Sequence, residues 1–210
     1  MKRKVLILIL SLLLIIISVV ALILKNTGIE PNNFFGKRQE ANKKKEFTIG
    51  DKVDSLNGVY VYYNGPVSNV SGRNVSADGY NIGQKYQCVE FVKRYYYEYL
   101  HHKMPDSYGH AKDFFDIKLK DGQKNKARGL IQYSNPSRLK PKINDLVIYG
   151  GTKYNPYGHV AIISFVSNQQ IEIIQQNPGP NVSSRVKYPL ERANGKWKIQ
   201  NNNILGWLRK

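Results

Sequence analysis

From Val5 to Leu24 the chain runs for twenty residues without a charge, and only Ser11 and Ser18 interrupt the aliphatics. Such a run leaves a soluble helix no polar face. At ~1.5 Å per residue, a helix of that length is roughly 30 Å long, the thickness of a bilayer's hydrocarbon core. Lys2, Arg3 and Lys4 precede the run and Lys25 closes it. The pattern predicts a single transmembrane helix, a signal anchor over residues 1–25. The positive-inside rule then puts its basic end in the cytoplasm and the rest of the chain outside. A cleaved signal peptide is the rival reading, but its apolar stretch is usually ~7–15 residues and ends in an A-x-A-like site. No such site follows here, and no cysteine follows that could accept a lipid.

The remainder divides in two. Residues 26–45, with Lys43-Lys44-Lys45, read as a tether, and residues 46–210 as one domain large enough for its own core. Fifteen Tyr, seven Phe and two Trp exclude a disordered polyelectrolyte. Of the net charge of +17, removing the four basic residues of 1–25 leaves +13. That excess suits an anionic partner such as lipid headgroups or cell-wall polymers. Nucleic acid is set aside, because no nucleic-acid-binding motif is present. One cysteine excludes both an intramolecular disulfide framework and a four-cysteine zinc site.

Within the domain, Asn57 to Gly65 reads as a strand between turn residues, and Ser68 to Gly83 as a loop. Cys88 to Leu100 carries apolar residues at helical spacing, and Gly109 to Phe115 is a candidate short helix. Asp145–Tyr149, Gly158–Val166 and Ile171–Gln176 are β-rich, with a hairpin signal at Ser167–Gln170. Ile204–Leu208 is a candidate final strand. A helix followed by an antiparallel sheet predicts the α+β class.

Two residues carry candidate chemistry. Cys88 opens the predicted helix, where unpaired N–H groups and the dipole favour a thiolate and could hold an oxyanion. Against this, free cysteine is among the most buried residue types. Of four histidines, His101 and His102 end the helix beside Lys103 and His110 follows Gly109, which are structural positions. His159 opens the apolar run Val160-Ala161-Ile162-Ile163 after a glycine, a fitting place for a general base. A Cys–His pair needs a third group to orient the imidazole. Strand alternation puts Glu172 and Gln176 on one face and Gln175 and Asn177 on the other. A two-residue turn at Asn168-Gln169 brings the even positions to the His159 side, and a longer loop or a bulge brings the odd ones. Pattern alone leaves both open.

Gln87-Cys88-Val89-Glu90-Phe91, Asn144-Asp145-Leu146-Val147, Gly158-His159-Val160-Ala161-Ile162-Ile163 and Gln176-Asn177, in this order and spacing, resemble the CHAP family. These are cysteine, histidine-dependent amidohydrolases/peptidases. The likeness is nearest to the amidase domain of glutathionylspermidine synthetase/amidase, and it runs from about Gly58 to Leu208. It implies a papain-like core, with a Cys-bearing helix packed on an antiparallel sheet. It implies Cys88 as nucleophile, His159 as base and Gln175 as the third catalytic residue, with Asn177 lining the site as its backup. It thereby selects the odd positions. Where the amidase has Glu, this chain has Gln175. An amide can accept the imidazole N–H but cannot stabilise an imidazolium by charge. The Cys88 N–H, with Gln87 or Tyr80, is the expected oxyanion site. No cofactor is expected, and no clustered Asp ligands precede Cys88, so no calcium or other metal is expected. The resemblance, with the anchor and the charge, implies peptidoglycan as the substrate. A small glutathionylspermidine-type amide, or a non-catalytic wall-binding scaffold, is the alternative.

Overall fold

The computed structural model describes residues 2–27, 46–179 and 182–210, and within the first helix the side chains of 11–23 and 25. The chain forms two compact units, Met1–Glu46 and Phe47–Lys210. Helix α1 (Lys2–Thr27) belongs to the first. Among the described residues no helix is long and apolar enough to cross a membrane. This overturns the expected transmembrane helix, the membrane as a partner and the single-pass location with an extracytoplasmic domain. Residues 28–45, most of the expected tether, lie outside the described residues.

The α+β expectation is also corrected. Among the described residues the chain is mostly sheet, with twelve strands and two α-helices. The sequence reading took too many polar, turn-rich stretches for loops. Strands β1 (Lys52–Leu56) and β2 (Val59–Tyr62) form a hairpin. Its turn is Asn57-Gly58, both at positive φ (49° and 84°), the conformation that a two-residue hairpin turn demands. The expected strand from Asn57 therefore starts on the turn itself. Residues 68–83, expected as a loop, contribute the pair β3 (Arg73–Val75) and β4 (Asn81–Gln84).

The central sheet has eight antiparallel strands. They are β5 (Gln123–Asn125), β6 (Leu130–Ser134), β7 (Leu146–Tyr149), β8 (His159–Val166), β9 (Gln170–Ile174), β10 (Arg185–Ala193), β11 (Lys196–Ile199) and β12 (Ile204–Arg209). Their spatial order is β11-β10-β9-β8-β7-β12-β6-β5. Helix α2 (Cys88–Glu98) packs through Cys88, Phe91, Val92, Tyr95 and Tyr96 on a face that includes Ile148, Val160, Ile162 and Ile174. Val147, Ala161, Ile163, Ile173 and Trp207 form a second core on the opposite face. With both faces covered, the central strands read as continuous apolar runs rather than alternating ones.

The β8–β9 register decides which residues meet His159. Near the turn, Val166 faces Ile171 and Phe165 faces Glu172, as a two-residue turn dictates. The register then shifts by one at Ser164, so that Ile163 faces Ile173 and Ile162 faces Ile174. The Ser164 hydroxyl donates to Glu172 Oε1 (2.9 Å), filling the bulge. Beyond it, odd positions of β8 share a face with odd positions after β9.

The C-terminal strand is locked by a buried ion pair. Arg209 donates from Nε to Asp145 Oδ1 (2.8 Å) and from Nη2 to Oδ2 (2.6 Å). Burial raises the Asp145 pKa against the lowering pull of Arg209 and the Lys142 N–H. Removing one partner of such a pair leaves an uncompensated charge, at a cost of about 3 kcal/mol or more. Arg209→Leu is therefore expected to lower the Tm by roughly 6–12 °C, as read by calorimetry.

Candidate active site

Gln87 is extended (φ −78°, ψ 161°), and the helix turns inward at the next residue, so Cys88 is the first residue of α2. Its side chain is 9% exposed. His159 is the first residue of β8, and Gly158 before it lies at φ 75°. A Cβ at Gly158 would sit 2.5 Å from the Tyr149 carbonyl oxygen, so only glycine lets this strand begin where it does. Cys88 and His159 line one cleft of about 900 Å³, together with Gln87 and Asn177.

His159 Nε2 and Gln175 Oε1 are 2.9 Å apart. The Gln175 amide is fixed by its other end, where Nε2 donates to the Ser183 carbonyl (2.9 Å). The oxygen therefore faces the ring, and an amide oxygen only accepts. His159 thus carries its proton on Nε2, which leaves Nδ1 as the basic nitrogen. The bulge at Ser164 makes this pairing possible.

The other expected site residues are placed differently. Asn177, at φ 55°, donates from Nδ2 to Gln87 Oε1 (2.8 Å) and the Val67 carbonyl (2.9 Å). Gln87 spends both amide hydrogens on the carbonyls of Val67 (3.0 Å) and Asn69 (2.7 Å). It braces a cleft wall and has no free hydrogen for an oxyanion. Tyr80 is outside the cleft lining. Its hydroxyl accepts the Met104 N–H (3.0 Å), and its ring stacks on Tyr97.

Burial governs the ionisation of both reactive groups. It pushes the Cys88 thiol up to about 11, although the N–H groups of Val160, Val89 and Cys88 itself pull the other way. The dipole argument for a low-pKa thiol loses here, because a buried thiolate forfeits its hydration. Burial takes His159 down to about 4, opposed by the Gln175 hydrogen bond. At neutral pH the resting pair is thiol and imidazole. Among the described residues, no group of three or more His, Cys, Asp or Glu could hold a metal ion.

Residues 78–177 match the family model of the CHAP domain. The likeness to that family is carried by this stretch, just under half of the chain. CHAP domains are amidohydrolase/peptidase domains, and the match lies in residues 78–177 rather than in the chain as a whole. Trypanothione synthetase of Crithidia fasciculata is a curated relative, 31% identical over 149 residues. The alignment covers 66% of this chain and 23% of that protein, so this chain spans less than a quarter of the length of its relative. A wild-type endolysin structure, LysIME-EF1, shares 23% identity and a TM-score of 0.37, covering 68% of this chain and 60% of its own.

In the first turn of α2 lies a buried polar network that the sequence reading did not single out. Glu90, 1% exposed, accepts from Arg94 Nε (2.7 Å), from Asn74 Nδ2 (2.8 Å) and from Gln176 Nε2 (2.8 Å). Gln176 also donates to the Gln87 carbonyl (3.0 Å) and accepts the Tyr62 N–H (2.8 Å). The first turn of α2 is thereby tied to the segment after β9. The available signal was the four-residue spacing of Glu90 and Arg94, an ordinary helical ion-pair spacing that usually marks a solvated face.

Proposed function

We propose that this CHAP-like domain, within residues 46–210, hydrolyses amide bonds with Cys88 as nucleophile and His159 as base, and that Gln175 holds the imidazole. The observation that carries this reading is the His159 Nε2–Gln175 Oε1 contact of 2.9 Å, in a cleft that His159 shares with the chain's only cysteine. As Sγ attacks the amide carbonyl carbon, its proton passes to His159 Nδ1. The N–H groups of Cys88 and Val89, at the start of α2, receive the developing oxyanion. The C–N bond then breaks as the imidazolium protonates the leaving amine. Water, deprotonated by His159, attacks the thioester and releases the acid and the thiol.

The substrate class we favour is peptidoglycan. A net charge of +17 suits an anionic polymer, and a cleft of about 900 Å³ has room for a branched peptide. The 31% identity to trypanothione synthetase favours a second reading, a small glutathionylspermidine-type amide. Incubation of the full chain with purified sacculi is expected to release muropeptides, and mass spectrometry of the products names the bond. Intact sacculi beside cleaved glutathionylspermidine would establish the second reading, and binding without turnover of either would make the domain a scaffold.

A further inference from the structure

The cleft carries one feature that the reaction above does not use. Its lining includes Arg73 and no Asp, Glu or Lys. Arg73 lies on β3 with an exposed side chain, and its Nη1 donates to Asn81 Oδ1 (2.9 Å). Asn81 is rigidly held: its Nδ2 donates to the Ser107 carbonyl (3.1 Å), and its own carbonyl accepts from Lys93 Nζ. Lys93, 1% exposed, also donates to the Ser107 carbonyl (2.7 Å). None of the ion pairs among the described residues involves Arg73.

A guanidinium anchored through one nitrogen keeps its other N–H donors for a second partner, and its planar fork matches a carboxylate. Arg128 and Arg73 both help depress the Lys93 pKa to about 8, after the larger effect of burial and against the opposing pull of Asp106 and Glu90, which places Arg73 among the charged groups around Lys93. We propose that Arg73 is a specificity residue that receives a free carboxylate of the substrate, so that the cleft selects amides flanked by an acid over those in which that acid is amidated. The proposal rests on the hydrolase reading and narrows its substrate class. Stem peptides and glutathione-type amides both offer such a carboxylate.

The full chain carrying Cys88→Ala binds without turnover, so titration calorimetry isolates recognition. The probes are N-acetylmuramoyl-L-alanyl-D-glutamate and its isoglutamine form, and glutathione and its diamide. In at least one of the two pairs the acid is expected to bind about 10- to 100-fold more tightly than the amide, and which pair shows it identifies the source of the carboxylate. Adding Arg73→Gln is expected to abolish the preference, and Arg73→Lys to keep part of it. Because the side chain is exposed, the thermal melt should not move. Equal affinity for acid and amide in both pairs, no binding of either acid, or a preference that survives Arg73→Gln overturns the proposal. Turnover of sacculi or glutathionylspermidine by the unmodified chain reads the hydrolase function separately. An acid preference without any turnover would sink that reading and leave Arg73 as the anchor of a binding site.

Discussion

Cys88→Ala is expected to reduce amide hydrolysis by roughly 10³-fold or more while leaving the fold in place. A nucleophile that forms a covalent intermediate cannot be replaced by its neighbours, and what survives its loss is the contribution of binding and oxyanion contacts. Cys88 is the chain's only cysteine, so no second thiol can substitute. The side chain also packs in the core beside Phe91 and Val160, so its truncation should cost about 1 kcal/mol, a shift of a few degrees in Tm. Rate and melting temperature measured on one preparation separate the two effects. Full activity in the alanine variant would remove Cys88 from the chemistry.

The second large effect concerns Gln175 and pH. His159 acts as base only when neutral, and burial holds its pKa near 4 rather than the ordinary value of 6.5. The acid limb of kcat/KM, which reports the free enzyme, is therefore expected near pH 4, with little change from pH 6 to neutrality. Gln175→Glu places an anion at the imidazole N–H, favours the imidazolium and should move that limb upward by about one unit or more. Gln175→Ala removes the acceptor and frees the ring, with an expected loss of roughly 10²-fold in kcat. The same shift has a stability consequence of defined sign. Between about 6.5 and about 4 the unfolded imidazole takes up a proton that the folded one refuses, so stability should fall with pH across that window. Urea denaturation at pH 7 and pH 4.5 checks this, and His159→Gln should flatten the difference. An acid limb near pH 6.5 in the unmodified chain would contradict the burial argument.

The motif residues were legible because each follows a local rule. Cys88 opens a helix of helical apolar spacing, and His159 follows a glycine at the head of a β-branched run. The strand that follows posed a question of face which pattern left open, because one residue of slippage exchanges Gln176 for Gln175. A bulge at Ser164 decides it, and nothing in Ile163-Ser164-Phe165 announces a bulge. The mostly-sheet class was missed for a related reason. Asn57-Gly58 and Asn194-Gly195 both adopt positive φ at hairpin turns, yet neither pair was read as a hairpin. Polar strands such as Arg73–Val75 and Gln123–Asn125 carry no alternation to detect. The thiol's ionisation failed at another level, because the dipole at a helix start is a local feature and the burial that outweighs it is tertiary.

The most direct test of the central claim is the mass of the enzyme during turnover. Rapid acid quench of the full chain with substrate, followed by intact-mass measurement and peptide mapping, should show a transient adduct equal to the acyl half of the substrate. The account predicts this adduct on the peptide containing Cys88, as a hydroxylamine-labile thioester absent from Cys88→Ala. An adduct at another residue, or amide cleavage that persists in Cys88→Ala, would contradict it.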